Sequence, residues 1–140
     1  MLENWDGDRW PVIEDGITDS GPMAGIISAQ RVEPRAAWLV VACDLPNLAD
    51  AAITSLLLQR KPLRFATAFR SVHDGFPEPL CAVYEPKSLP RLLQFLAMGY
   101  RCPRRILNNS RIELVDQDDE DWMTNMNHPE EYEAAKSERG

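Results

Sequence analysis

The chain has 140 residues, of which 44% are hydrophobic and 26% charged, with a formal net charge of −7. That length predicts one domain able to bury about 68–70% of its unfolded surface. The negative balance argues against a phosphate-backbone binder, which needs lysine and arginine clustered on one surface, so nucleic acid is not an expected partner. No run approaches the roughly 18 apolar residues of a membrane span. The start, MLENWDGDRW, lacks the basic and apolar regions of a secretory signal, which sets a cytoplasmic expectation. Cys43, Cys81 and Cys102 are odd in number and widely spaced, and read as reduced thiols rather than a disulfide or zinc framework.

In chain order, VIEDGITDSGPMAG places Asp15 after a short apolar run, and Gly21-Pro22 reads as a helix entrance. Trp38 to Cys43 (WLVVAC) is a continuous apolar run with β-branched residues, the pattern of a strand buried on both faces, with Cys43 in the core. Leu48, Ala52, Ile53, Leu56 and Leu57 then recur at helical spacing behind Asn47, a candidate cap. Arg64–Phe69 and Leu80–Tyr84 predict two strands that pair locally across a turn containing Asp74-Gly75 and two prolines. Ser88 is placed to cap a helix that tolerates Pro90 in its first turn, presents Leu89, Leu92, Leu93 and Leu96 on one face and stops at Gly99. RIELVD, from Arg111, predicts a short strand; the acidic run Asp116–Asp121 reads as a solvated loop. A last helix follows with Pro129 near its start, Glu130 and Glu131 in its first turn and Lys136 near its end. Alternating strands and helices indicate an α/β sandwich.

In open α/β sheets, ligands bind outside the carboxyl ends of the strands. Asp44, in ACDLP directly after the apolar strand, is therefore the first candidate. A carboxylate so placed suits magnesium, which takes one or two protein carboxylates plus substrate phosphates. Its competing reading is a cap for the helix near Asn47. Asp15-Gly16 likewise reads as a plain turn, and Asn127 as an ordinary helix cap.

Taken together, VIEDGITDSGPMAGIISA, WLVVACDLPNL, PLCAVYEPKSLPRLLQFLAMG and WMTNMNHPEEYEAA closely resemble the successive motifs of the MobA-like family of molybdopterin nucleotidyltransferases. The resemblance implies a three-layer Rossmann-like (GT-A-like) nucleotidyltransferase domain with a mostly parallel sheet. It further implies transfer of GMP from GTP to molybdopterin or its molybdenum form, with release of pyrophosphate and Mg2+ as cofactor. By the same resemblance Asp44 matches the aspartate that ligates magnesium, and Asp15 an aspartate lining the nucleotide site. Asn125 and Asn127 match asparagines on the pterin and metal side, Asn127 the stronger candidate for a metal ligand. His128 stands where the family has threonine. Gly21, Pro22 and Gly25 match the family's Gly-Pro-x-Ala-Gly turn.

The family also opens with a glycine-rich phosphate loop, Gly-Gly-x-Ser-x-Arg-Met-Gly-x-Asp-Lys, to which nothing here corresponds. The domain is thus expected to be N-terminally truncated, its sheet to have a gap before WLVVAC, and the exposed edge to pair with a chain carrying the missing half, with itself, or to rearrange. A fragment, a split protein and a degenerate relative all fit. So do three functions: guanylyl transfer, cytidylyl transfer, and a non-catalytic interaction module.

Overall fold

A computed structural model describes residues 21–119 and 121–123. Helix α1 spans Pro22–Val32, strand β1 Trp38–Val41, helix α2 Asp50–Leu58, strands β2 Ala66–Arg70 and β3 Pro77–Tyr84, helices α3 Ser88–Ala97 and α4 Pro103–Asn108, and strand β4 Glu113–Val115. The strands form one sheet in the order β1-β3-β2-β4. β3 is antiparallel to both β1 and β2, while β4 is parallel to β2, so three of the four strands run one way and β3 alone opposes them. The sheet is mixed, and the local pairing of β2 with β3 follows from the tight turn between them: Ser71 N–H bonds Phe76 O at 2.8 Å, and Gly75 takes φ 76°.

Side-chain alternation along the strands divides the core in two. On one face Ala66, Ala68, Ala82 and Tyr84 pack with Met23, Ile26 and Ile27 of α1, Leu92 of α3, and Ile106 and Leu107 of α4. On the other Phe69, Cys81, Val83 and Val115 pack with Ala52 and Leu56 of α2 and with Trp122. Helices cover both faces, giving the expected three layers. Among the described residues no helix is long and apolar enough to cross a membrane.

Several local expectations are met. α1 begins at Pro22, whose missing N–H costs nothing in a first turn, and Gly21 before it takes φ 54°, a conformation open to glycine. α3 ends as its glycine predicts: Gly99 at φ 90° lets its N–H reach Leu96 O (3.0 Å) and the Tyr100 N–H reach Phe95 O (2.9 Å), and the Phe95 and Tyr100 rings pack edge to face at 5.6 Å.

Others are corrected. β1 lies at an edge of the described sheet, its residues are half-buried with Val41 40% exposed, and it ends there, so Cys43 is exposed rather than core. α2 starts at Asp50 with Ala49 as its unassisted cap, so neither Asn47 nor Asp44 caps it. Ser88 Oγ donates to Glu85 O at 2.8 Å instead of capping α3, and Leu93 faces solvent while Phe95 takes a place in the core. β3 begins three residues earlier than Leu80; Pro77 opens the strand where the register with β2 is irregular, so its missing N–H breaks no regular ladder. α4 was not anticipated. The strand before Asp15 and the helix beyond Pro129 lie outside the described residues.

Candidate functional site at the carboxyl rim of the sheet

Because β1, β2 and β4 share a direction, their carboxyl ends line one rim, and the reversed strand β3 brings its amino end to the same place. The join is direct: Ala42 N–H, just past β1, bonds Leu80 O at 2.8 Å. Asp44 therefore emerges beside the start of β3. A cleft of about 240 Å³ opens there, lined by Asp44, Glu78 and Arg104 with Ala42, Leu45, Pro79, Leu80 and Met123.

The three charged groups are held differently. Asp44 sits half-buried on the ACDLP turn, and among the described residues its carboxylate has no hydrogen-bond or ion-pair partner. Glu78 is half-buried on β3, and burial raises its pKa above the usual carboxylate range, reinforced by Asp74 and opposed by Ser71, Arg104 and His73. Arg104, on α4, donates from Nη2 to Asp74 Oδ2 and lies over the Phe76 ring at 5.4 Å, while its buried Nε has no partner among the described residues. The backbone N–H of Phe76 in turn bonds Asp74 Oδ1 at 3.0 Å, and this bond first, with Arg104 behind it, holds the Asp74 carboxyl below its ordinary range. One carboxylate is thus open, one is partly desolvated, and a permanent cation stands with them on a braced side chain.

Of the sequence candidates, Asp44 is placed at the cleft. Asp15, Asn125 and Asn127 lie outside the described residues. Pro22 and Gly25 do not reach the cleft; they line a separate groove between α1 and β1, and Gly21 serves the entrance to α1, where a Cβ would meet nothing within 4 Å. Its glycine is required by φ, not by a close approach. Glu78 and Arg104 were missed. The signal for Glu78 was its place at the start of a strand running opposite to β1, which sequence spacing does not disclose; Arg104 sits on a six-residue helix with little periodicity to reveal it.

Among the described residues the cleft offers two carboxylates and no thiol or imidazole. Among the described residues no group of three or more His, Cys, Asp or Glu side chains is arranged to hold a metal ion. The donors are hard oxygens, in a number that suits a magnesium ion whose shell is completed by phosphates and water. Cys81 lies beneath, buried in the second core cluster, and burial raises its thiol pKa to about 11, which keeps it protonated and inert.

Comparison with known proteins shows the family of the chain. A curated relative, the molybdenum cofactor biosynthesis bifunctional protein of Synechocystis, is 32% identical over 131 residues, covering 91% of this chain and 38% of that protein. The probable molybdenum cofactor guanylyltransferase of Bacillus mycoides is 28% identical over 134 residues, covering 91% of this chain and 66% of that protein. Two solved structures share the fold. One is the molybdopterin-guanine dinucleotide biosynthesis protein A of Archaeoglobus fulgidus (TM-score 0.69, 23% identity, 85% of this chain and 63% of that one). The other is a putative protein of Aquifex aeolicus (TM-score 0.72, 20% identity, 84% and 62%). The chain therefore spans between 38% and 66% of the length of these proteins. The family model for the MobA-like NTP transferase domain matches residues 2–116, a stretch that takes in Asp15, Asp44, Glu78 and Arg104, and the chain belongs to that family.

Proposed function

We propose that this chain carries the metal-site part of a nucleotidyltransferase of molybdenum cofactor biosynthesis, which transfers GMP from GTP to molybdopterin or its molybdenum form. The observation that supports it best is the open Asp44 carboxylate in a cleft at the carboxyl rim of the sheet. The family match and the guanylyltransferase relative favour GTP over CTP.

In the reaction a terminal phosphate oxygen of the acceptor attacks the α-phosphorus of GTP. A new P–O bond forms there, and the bond from the α-phosphorus to the oxygen bridging the β-phosphate breaks, leaving as pyrophosphate. Such a step calls for alignment and charge neutralisation more than for an acid–base pair. Asp44 would hold magnesium, with Asn127 as the second protein ligand by resemblance; the ion would neutralise phosphate charge when bound. Arg104, fixed by Asp74 and Phe76, would add a second positive charge in the same cleft. Asp15 would line the nucleotide site and Asn125 the pterin side.

A second reading, a binding module without catalytic power, draws on the glycine pattern: none of the seven glycines is adjacent to another, so no Gly-Gly-x-Ser loop occurs in these 140 residues. Calorimetric titration with GTP and with CTP, each with and without magnesium, separates the two. Saturable, magnesium-dependent binding that prefers GTP supports the transferase, magnesium-dependent preference for CTP reassigns the donor, and no binding supports a fragment or the module.

A further inference from the structure

The charges of this acidic chain are segregated. From Pro86 to Ile112 there are six cations, Lys87, Arg91, Arg101, Arg104, Arg105 and Arg111, and no Asp or Glu; the next nine residues carry six acids and no cation. The basic stretch is α3, α4 and their connections, and its side chains interleave with aromatic rings. Lys87 Nζ lies 5.2 Å from the centre of the Phe65 ring, and the Arg91 guanidinium 5.6 Å from the same ring and 4.8 Å from Phe95. Phe95 packs on Tyr100, over which Arg105 lies at 4.7 Å. A ladder of cations and rings thus runs from Lys87 to Arg105.

None of the ladder's cations has a carboxylate partner among the described residues. Lys87 donates to Leu63 O (2.8 Å), and Arg91 to Asn109 O (2.7 Å) and Ser110 Oγ (3.2 Å). Contacts with rings, carbonyls and a hydroxyl fix the side chains in place while leaving their charge without a counter-charge among the described residues. Fixed, uncompensated charge attracts a complementary partner at low ordering cost. α3 has ten residues, about 15 Å of helix, which matches about four or five residues of an extended chain. A long polyanion laid across so short a face would also meet the acidic residues 113–121, which repel it.

We propose that this ladder is a docking surface for a carboxylate-rich segment of a partner protein. The test is fluorescence anisotropy with a labelled pentaglutamate peptide and, separately, a labelled single-stranded oligonucleotide, at about 50 and about 200 mM salt. Three proteins are compared: the unaltered chain, the double variant Lys87→Glu/Arg111→Glu on the basic stretch, and Arg31→Glu/Arg35→Glu, which changes the net charge equally from exposed positions near α1. Arg91 is left in place because its hydrogen bonds brace the α4–β4 connection, and circular dichroism verifies that all three fold. The expected result is salt-sensitive peptide binding, weakened about tenfold or more by the first variant and within about twofold of unaltered in the second. No peptide binding at the lower salt, equal weakening by both variants, or tighter binding of the oligonucleotide overturns the proposal.

Discussion

Strand β3 carries a glutamate at each end of its run, Glu78 at the carboxyl rim and Glu85 just past Tyr84 at the opposite rim, and the fold treats them oppositely. Glu85 is closed in: its side chain is 1% exposed and takes a two-pronged ion pair from Arg60, Nε to Oε2 at 2.7 Å and Nη2 to Oε1 at 2.8 Å. Its backbone oxygen accepts from Ser88 Oγ at 2.8 Å, and Gln30 Nε2 bonds that hydroxyl at 2.8 Å, tying α1 to α3 through the buried turn. Around Glu78 the neighbours are an aspartate without a partner among the described residues, an arginine braced from behind and a cleft. At one rim the carboxylate is paired and the turn ties the helices together, with Gln30 Oε1 left without a described partner; at the other the Asp44 carboxylate and Arg104 Nε have none among the described residues. What separates the rims is the cleft, where an open carboxylate, a partly desolvated one and a permanent cation stand together, and that is where binding is expected.

The sharpest way to break this contrast is Asp44→Asn. The amide keeps the shape and removes the charge. Transfer activity should fall on the order of 10²-fold or more, the scale of losing one group that stabilises charge in a transition state, and the unfolding free energy should stay within about 0.5 kcal/mol because no described partner is lost. Rate assays beside a thermal melt read both. Retained activity would remove Asp44 from the chemistry.

Arg60→Ala should do the reverse. It strands a buried carboxylate, for which removal of a partner typically costs about 3–5 kcal/mol; since Arg60 is itself 39% exposed, about 2–3 kcal/mol is expected. Urea unfolding at neutral pH measures the loss, and nucleotide binding should be little changed.

Gly99→Ala tests a feature shared by neither rim. The αL conformation at φ 90° penalises any Cβ although nothing lies within 4 Å of it, so about 1 kcal/mol of stability should be lost, read as a lower urea midpoint.

How much of this was legible in the sequence follows from what each residue depends on. The WLVVAC strand, the helix ending at Gly99 and Asp44's place on a turn after a strand rest on local pattern, and each has its counterpart in the structure. The third layer was also readable, from the alternation of strands and helices. Features that depend on neighbours in space were not. Cys43 looked like core because the apolar run continues through it, but the strand lies at an edge of the described sheet and ended two residues sooner. Asn47 had the chemistry of a cap, yet the turn Leu45–Leu48 intervenes before α2. Glu78 and Arg104 joined the site only because β3 runs backwards and α4 lies across its start. Asp15, Asn125 and Asn127 remain assignments by resemblance.

Glu78→Gln gives the smallest effect and the finest discrimination, because it asks whether the second carboxylate of the cleft is strained by burial alone. A carboxyl whose folded pKa is raised stabilises the fold fully below its unfolded pKa and loses that contribution as pH rises through the folded value. Glutamine imitates the protonated form, so the variant should exceed the unaltered chain in stability by under about 1 kcal/mol at pH 7 and match it near pH 4. Both are readable from paired denaturation curves. A loss of stability at pH 7 would mean that the Glu78 charge is paired rather than desolvated, and the cleft would then be closed like the Glu85 rim. If the gain appears while magnesium-dependent GTP binding weakens, the carboxylate is held at a cost to the fold because the ligand needs it; if binding is unchanged, Asp44 acts alone.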